Sequence, residues 1–419
     1  MRISNERRLA GFAHLGLFFI SLIAVAFVLD TPADIYKGMI NILLSPGTLI
    51  TDYIEIAGIG AALFNAGLLG FLSLLKFRLL RVELNGAAVA ALVTVCGFAL
   101  FGKNLYNSIP ITFGVYLFAF LKKMSPKEVS VMSLFATSLC PLVSQLSFGL
   151  GLETWTGVVS GYSAGILVGL VTPPLAESFV NFHQGFNLYN VGFTAGILGM
   201  FATGILRMFN LQIEPVSILS DGNNLVLSVY LLSVFAVILL LGLSLNGWSF
   251  RNYGQLLSLS GRYKTDFIAI CGYGVTLINI AIMGLISWSY IILMGAQLNG
   301  ATVGAIFTVM GFSAFGNHPK NTLPIFAGAL LACLLNIHDP CSTVSVIATL
   351  FGSTLAPIAG HFGILAGIFA GFTHVSMTLN ISYLHGGMNL YNNGFSGGFI
   401  AATLVPIFTA IVLKKRTKK

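Results

Sequence analysis

A chain of 419 residues that is 56% hydrophobic and only 8% charged cannot be an ordinary soluble protein, in which about a quarter of residues carry charge. Its net charge of +8 does not point to nucleic acid, because the basic residues gather at the termini and in short loops, where they act as topology signals. Apolar stretches recur along the whole length with no long hydrophilic stretch between them, which predicts an all-α polytopic membrane protein with the lipid bilayer as its first partner.

In chain order the first half offers apolar segments near 9–29, 53–75, 86–102, 108–121, 128–147, 157–176 and 187–206. Arg7-Arg8 followed by Leu9 to Val28 could imitate a secretory signal. A comparable segment, Leu225 to Leu243, opens the second half, so the first reads as a retained helix. The second half runs near 223–245, 267–293, 299–316, 322–336, 342–357, 361–381 and 390–413. The expected organisation is a first membrane repeat over 1–207, a linker over 208–222 and a second, inverted repeat over 223–419.

The halves match each other residue by residue. From Thr51 to Leu117 the sequence falls on itself at an offset of 214, with Asp52 on Asp266, Asn65 on Asn279, Asn107 on Asn321 and Pro110 on Pro324. Between Leu84 and Leu117, 17 of 34 positions are identical. Apolar composition inflates such a count, but shared Asp, Asn, Gly and Pro at fixed places do not come from composition.

Loop charge sets the relative direction of the halves. Arg2, Arg7 and Arg8 at one end and Lys414, Lys415, Arg416, Lys418 and Lys419 at the other place both termini in the cytoplasm of a plasma (inner) membrane protein. Lys76, Arg78 and Arg81 have no basic counterpart between Trp288 and Asn299. Lys122, Lys123 and Lys127 face only His338 and Asp339, while Asp30, Asp34 and Lys37 face Arg251, Arg262 and Lys264. A switch in every informative pair is what an odd number of crossings per repeat predicts.

The third and fourth segments of each half are short, about 17 and 14 residues against the ~20 that a full span needs. A polar break separates them, Gly102-Lys103-Asn104 to Pro110 in one copy and Gly316-Asn317-His318 to Pro324 in the other. Two half-helices that enter and leave on one side would give five crossings plus a re-entrant pair per half, and such breaks mark a central site. Asn107 and Asn321 lie in these breaks and are counted with the path. The alternative is a pair of short tilted helices joined by an exposed loop carrying Lys103 and Lys320.

The most specific motif opens the last segment of each half: His183-Gln184-Gly185-Phe186-Asn187-Leu188-Tyr189-Asn190-Val191-Gly192-Phe193, and His385-Gly386-Gly387-Met388-Asn389-Leu390-Tyr391-Asn392-Asn393-Gly394-Phe395. The offset is now 202, and about 14 extra residues around Ser147 to Ser160 close the difference. On a helix Asn187 and Asn190 share a face, as do Asn389 and Asn392. Amides and the hydroxyls of Tyr189 and Tyr391 can bond a neutral polar solute or replace water around a small ion, without the penalty of a buried charge. The same residue types also cap helices and anchor at membrane interfaces.

Other candidates are fewer. Thr94 and Thr308 are paired hydroxyls on the short third segments, in place to line a pore. Asp52 and Asp266 read as N-caps. Glu55 and Glu177 lack a counterpart and so could serve ion coupling, since an acid in a membrane helix is a functional suspect. His183 and His385 suit a place just behind the solute path. The five cysteines form no metal spacing. No cofactor, metal or enzymatic motif is expected.

The GxNLYNxGF motifs and the match of 51–207 with 265–409 resemble those of an uncharacterised bacterial multi-pass membrane family, a domain of unknown function. More distantly, the architecture is similar to the urea-transporter family, in which two inverted halves of five crossings plus a re-entrant segment enclose a pore. Gly185-Phe186-Asn187 and the short segments before Pro110 and Pro324 resemble local patterns there. That resemblance implies a pore on the pseudo-two-fold axis. It does not carry a substrate with it.

The expected function is a permease or channel-like transporter for a small polar solute, with the path between inverted halves. An ion-coupled transporter of a larger solute and a non-transporting scaffold are the alternatives, and a homo-oligomer stays open. Inversion predicts that a single cysteine at Gln297 is labelled by an impermeant reagent in intact cells while one at Leu79 is not, in a background lacking native cysteines. Equal labelling, or the reverse, would show that the halves are not inverted.

Overall fold

A segment at membrane depth has no water to bond its backbone, so it must satisfy its own N–H and C=O groups as a helix. The computed structural model, which describes residues 5–416 apart from 49, 212, 214, 215 and 336, is built of helices throughout. Arg2, Lys418 and Lys419, used above as topology signals, lie outside the described residues.

The first half comprises α1 (Asn5–Leu29), α2 (Pro32–Leu44), α3 (Tyr53–Ala57), α4 (Ile59–Leu79), α5 (Gly86–Phe98), α6 (Leu105–Leu121), α7 (Pro126–Ala136), α8 (Cys140–Ser144), α9 (Thr154–Phe182) and α10 (Asn190–Met208). The second comprises α11 (Asn224–Leu245), α12 (Tyr253–Ser258), α13 (Phe267–Cys271), α14 (Tyr273–Leu293), α15 (Gly300–Phe312), α16 (Pro319–Leu335), α17 (Thr343–Phe351), α18 (Ala356–Phe362), α19 (Ile364–Ile381) and α20 (Asn392–Arg416). Helices α3 to α6 return as α13 to α16 with every boundary moved by 214 residues. The amphipathic α2, which buries Ile35, Gly38 and Ile42, was not anticipated from the sequence.

Among the described residues, ten stretches are long and apolar enough to cross a membrane, five in each half. One runs through a 3-10 turn between α7 and α8, from Pro126 to Gly149, and its partner spans Thr343–Phe362. The protein is therefore a multi-pass membrane protein. The four short helices α5, α6, α15 and α16 fall outside this set. At 13 residues, α5 and α15 are ~20 Å long, less than the ~30 Å hydrocarbon core.

Asparagines on the long helices hold the short ones. Asn65, midway along α4, donates from Nδ2 to Ala99 O and Lys103 O at 2.7 and 2.9 Å. Asn279 on α14 does the same to Ser313 O and Asn317 O at 2.7 and 2.8 Å. Each satisfies carbonyls that the end of a helix leaves without a partner. From this tip α6 returns toward the end of α4, where Lys76 Nζ lies over the Tyr116 ring and donates to Ser133 Oγ at 3.1 Å.

Within each half α1 packs on α4 and α6 on α9, matched by α11 on α14 and α16 on α19. The halves meet where α5 crosses α15 and α10 crosses α20. Helices α5 and α15 run antiparallel, with Gly86 against Ala314, Ala90 against Gly311, Gly97 against Gly304 and Leu100 against Gly300. Small residues allow this close backbone approach. Part of the connection between the halves is itself docked: Ile50 N donates to Val216 O, Ile218 N to Ile50 O and Asp52 N to Ile218 O.

Asn65→Ala and Asn279→Ala should each lower the unfolding free energy by about 1–3 kcal/mol, the cost of stranding buried carbonyls. The measurement is the melting temperature in detergent. Wild-type melting of both variants would mean that the tips are held by other contacts.

Candidate functional site

Two sets of polar bonds cross between the halves, and each is made twice. Asp52 Oδ1 accepts from Gly300 N at 3.1 Å, and Asp266 Oδ1 from Gly86 N at 3.1 Å. Asp52 becomes Asp266 and Gly86 becomes Gly300 at the offset of 214, so these are one contact and its exchange. Each aspartate also caps its own short helix, through Ile54 N or Ile268 N. Asp52 further accepts from Ser220 N and Oγ, tying down the connection between the halves.

The motif asparagines form the second set. Asn187 Nδ2 donates to Gly394 O at 2.9 Å, and Asn389 Nδ2 donates to Gly192 O at 3.1 Å. Their Oδ1 atoms accept from the backbone of Tyr189 and Tyr391. Leu188 N donates to Thr354 O and Leu390 N to Ser138 O, both at 3.0 Å. This corrects the expected helical face: α10 begins at Asn190 and α20 at Asn392. Asn187 and Asn389 precede the helices, and their amides are spent on backbone across the interface.

Behind them, His183 Nε2 lies 2.8 Å from Asn190 Oδ1 and His385 Nε2 2.9 Å from Asn392 Oδ1. Asn190 Nδ2 donates to Ala176 O, and Asn392 Nδ2 to Thr378 O. With each amide nitrogen committed to a carbonyl, its oxygen must accept, so Nε2 carries the proton in both histidines. Both histidines are fully buried. They orient Asn190 and Asn392.

Tyr189 and Tyr391 meet at the centre, their rings 5.1 Å apart. Phe312 packs on Tyr189 and Phe98 on Tyr391, each at 4.5 Å. Both tyrosines are 2% exposed, which removes the interfacial-anchor reading. The hydroxyls differ between the halves. Tyr189 Oη bonds Ser353 Oγ, and Thr308 Oγ1 returns to Gly304 O. Thr94 sits opposite Tyr391 Oη, but the two form no well-made bond and neither finds another partner among the described residues.

Two cavities occupy exchange-related places, and Tyr189, Tyr391 and Phe312 border the smaller of them. One, of about 80 Å3, is bordered by Phe135, Leu188, Asn190 and Phe315. The other, of about 200 Å3, is bordered by Phe351, Leu390, Asn392 and Phe101, the same four places under exchange of the halves.

Other predicted site residues fall elsewhere. Asn107 donates to Gly102 O and Ser144 Oγ and accepts from Asn104 N; Asn321 donates to Gly316 O and accepts from His318 N. Both cap the broken backbone. Glu55 and Glu177 are exposed. The tip residues also part company: Lys320 is exposed, but Lys103 is 1% exposed with Nζ 5.5 Å over the Phe98 ring. Its counterpart Asn317 is fully buried with neither amide atom bonded. His374, not singled out in the sequence, is also fully buried and anchors a polar group with Thr378, Asn393 and Ser396. Its signal was the mismatch with Thr172 at the same place in the first half. No three His, Cys, Asp or Glu side chains converge as metal ligands among the described residues.

A family described as protein of unknown function (DUF1576) matches residues 31–208 and 245–410, most of the chain. No curated protein and no solved structure matches it.

Close packing of the two motifs can be tested directly. A methyl added at Gly196 would run into the Phe395 ring, and one at Gly398 into the Phe193 ring. Gly196→Ala and Gly398→Ala should each cost about 1–3 kcal/mol, whereas Gly204→Ala, with open space around it, should stay within about 0.5 kcal/mol of wild type. Three equal melting temperatures would contradict this packing.

Proposed function

We propose that this chain, which belongs to the family of proteins of unknown function (DUF1576), is a permease for a small polar solute. Its halves insert in opposite senses, and the path runs between them past Tyr189 and Tyr391. The observation that carries the reading is the pair of exchange-related cavities, the smaller bordered by Tyr189 and Tyr391. In an inverted pair they open toward opposite sides of the membrane, as alternating access around a central site requires. A scaffold would have no use for two matched cavities.

Inversion is supported by the antiparallel α5 and α15 with their reciprocal contacts. Exchange of antiparallel helices needs an axis perpendicular to them, which lies in the membrane plane if they run along its normal. The switch of loop charge agrees. A re-entrant hairpin is supported by the tip bonded to Asn65 and by the return of Tyr116 to Lys76 at the end of α4.

Ion coupling is the second reading, moved from Glu55 to Lys103. A lysine at membrane depth is expensive, and this one is buried with Nζ over the Phe98 ring. Lys103→Met should then abolish uphill accumulation and spare downhill exchange.

Purified protein in proteoliposomes should take up at least one member of a panel of short amides, polyols, ammonium and small carboxylates. Tyr391→Ala, which thins the aromatic layer, should raise uptake several-fold and admit larger members. No flux from either protein would remove the permease reading.

A further inference from the structure

The two cavities are equivalent by exchange but not in chemistry. At the offset of 202 that relates the two motifs, Ala176, Val180 and Val191 become Thr378, Ser382 and Asn393. All three replacements border the larger cavity. Each exchanges an apolar side chain for one that hydrogen-bonds, at a depth where unpaired polar groups are costly. Three such changes converging on one cavity are not explained by packing, because the apolar versions pack in the other half.

Asn393 is held from behind. One end of its amide, Oδ1, lies 2.9 Å from His374 Nε2, and Thr378 Oγ1 lies 3.3 Å from the same nitrogen. Thr378 and Ser396 share a short hydroxyl bond that completes the group. The one side-chain hydrogen bond of Asn393 among the described residues is this bond to His374, and the side chain borders the cavity. Whichever way the amide is turned, His374 fixes one end and leaves the other for a ligand. No ionisable side chain borders the cavity among the described residues. A charged solute would shed its hydration there with no counter-charge in return.

Resting on the permease reading, we infer that this cavity is the solute-recognition chamber, that its ligand is a small uncharged molecule carrying donor and acceptor groups, and that Asn393 recognises it. His374 is a positioning residue acting through Asn393. The volume of about 200 Å3 suits a solute of a few heavy atoms, a water taking about 30 Å3 of liquid.

The test uses full-length protein in proteoliposomes with glycerol and acetamide as neutral probes, and acetate and ammonium as charged ones. Wild type should carry a neutral probe in preference to both charged ones. Asn393→Val and Thr378→Ala, which install the residues of the other half, should each raise its half-saturation concentration about tenfold, the scale of one hydrogen bond to a buried group. Each variant also removes a buried bond to His374 or Ser396, so the melting temperature should fall as for other buried hydrogen bonds, and half-saturation is read on folded protein. His374→Gln should raise half-saturation with little change in maximal rate, whereas a merely structural role would lower both the rate and the melting temperature. If wild type carries a neutral probe and the Asn393 and Thr378 variants match it, the chamber assignment fails and the permease reading stands. Preference for a charged probe overturns the ligand class. No uptake of any probe by wild type removes both.

Discussion

Everything in this protein depends on the need to pair backbone groups where helices break at membrane depth. A broken helix leaves N–H and C=O groups without intrahelical partners, and lipid supplies none. The chain meets the demand with short polar side chains rather than charges of opposite sign. Asn65 and Asn279 close the ends of α5 and α15. Asp52 and Asp266 cap the starts of the opposite half's short helices. Removing one such group would strand several backbone atoms at once.

Because those caps are exchanged between the halves, the same bonds that satisfy the backbone also fasten the two halves together. Asn187 and Asn389 continue this arrangement at the motifs, each donating to a glycine carbonyl of the other half. Glycine at these crossings is a packing requirement: a side chain at Gly97 or Gly304 would meet the backbone of the facing helix. The aromatic layer of Tyr189, Tyr391, Phe98 and Phe312 sits between these fastenings.

Symmetry also shows where the halves have separated in role. Tyr189 is bonded while Tyr391 is not. Lys103 stands where the other half has Asn317, and His374 where the other half has Thr172. A frame needs only the shared residues. The unshared ones gather at one cavity and one hairpin tip, where a duplicated protein can acquire chemistry without losing its fold.

Composition and periodicity are properties of neighbouring residues, so the sequence alone determined the membrane class, the duplication, most segment boundaries to within a few residues, and the short broken pairs of each half. It also assigned Asp52 and Asp266 their caps, because an N-cap is a local bond. What it could not decide was the use of each amide. An asparagine offers the same donors and acceptor whether it lines a path or closes a backbone. Only the meeting of segments some 200 residues apart decided that Asn187 and Asn389 fasten the halves. Only packing decided that Glu55 and Glu177 face outward while Lys103 is buried. His374 was unreadable for the same reason: its partner Asn393 lies 19 residues away on another helix, and burial is set by every element around it.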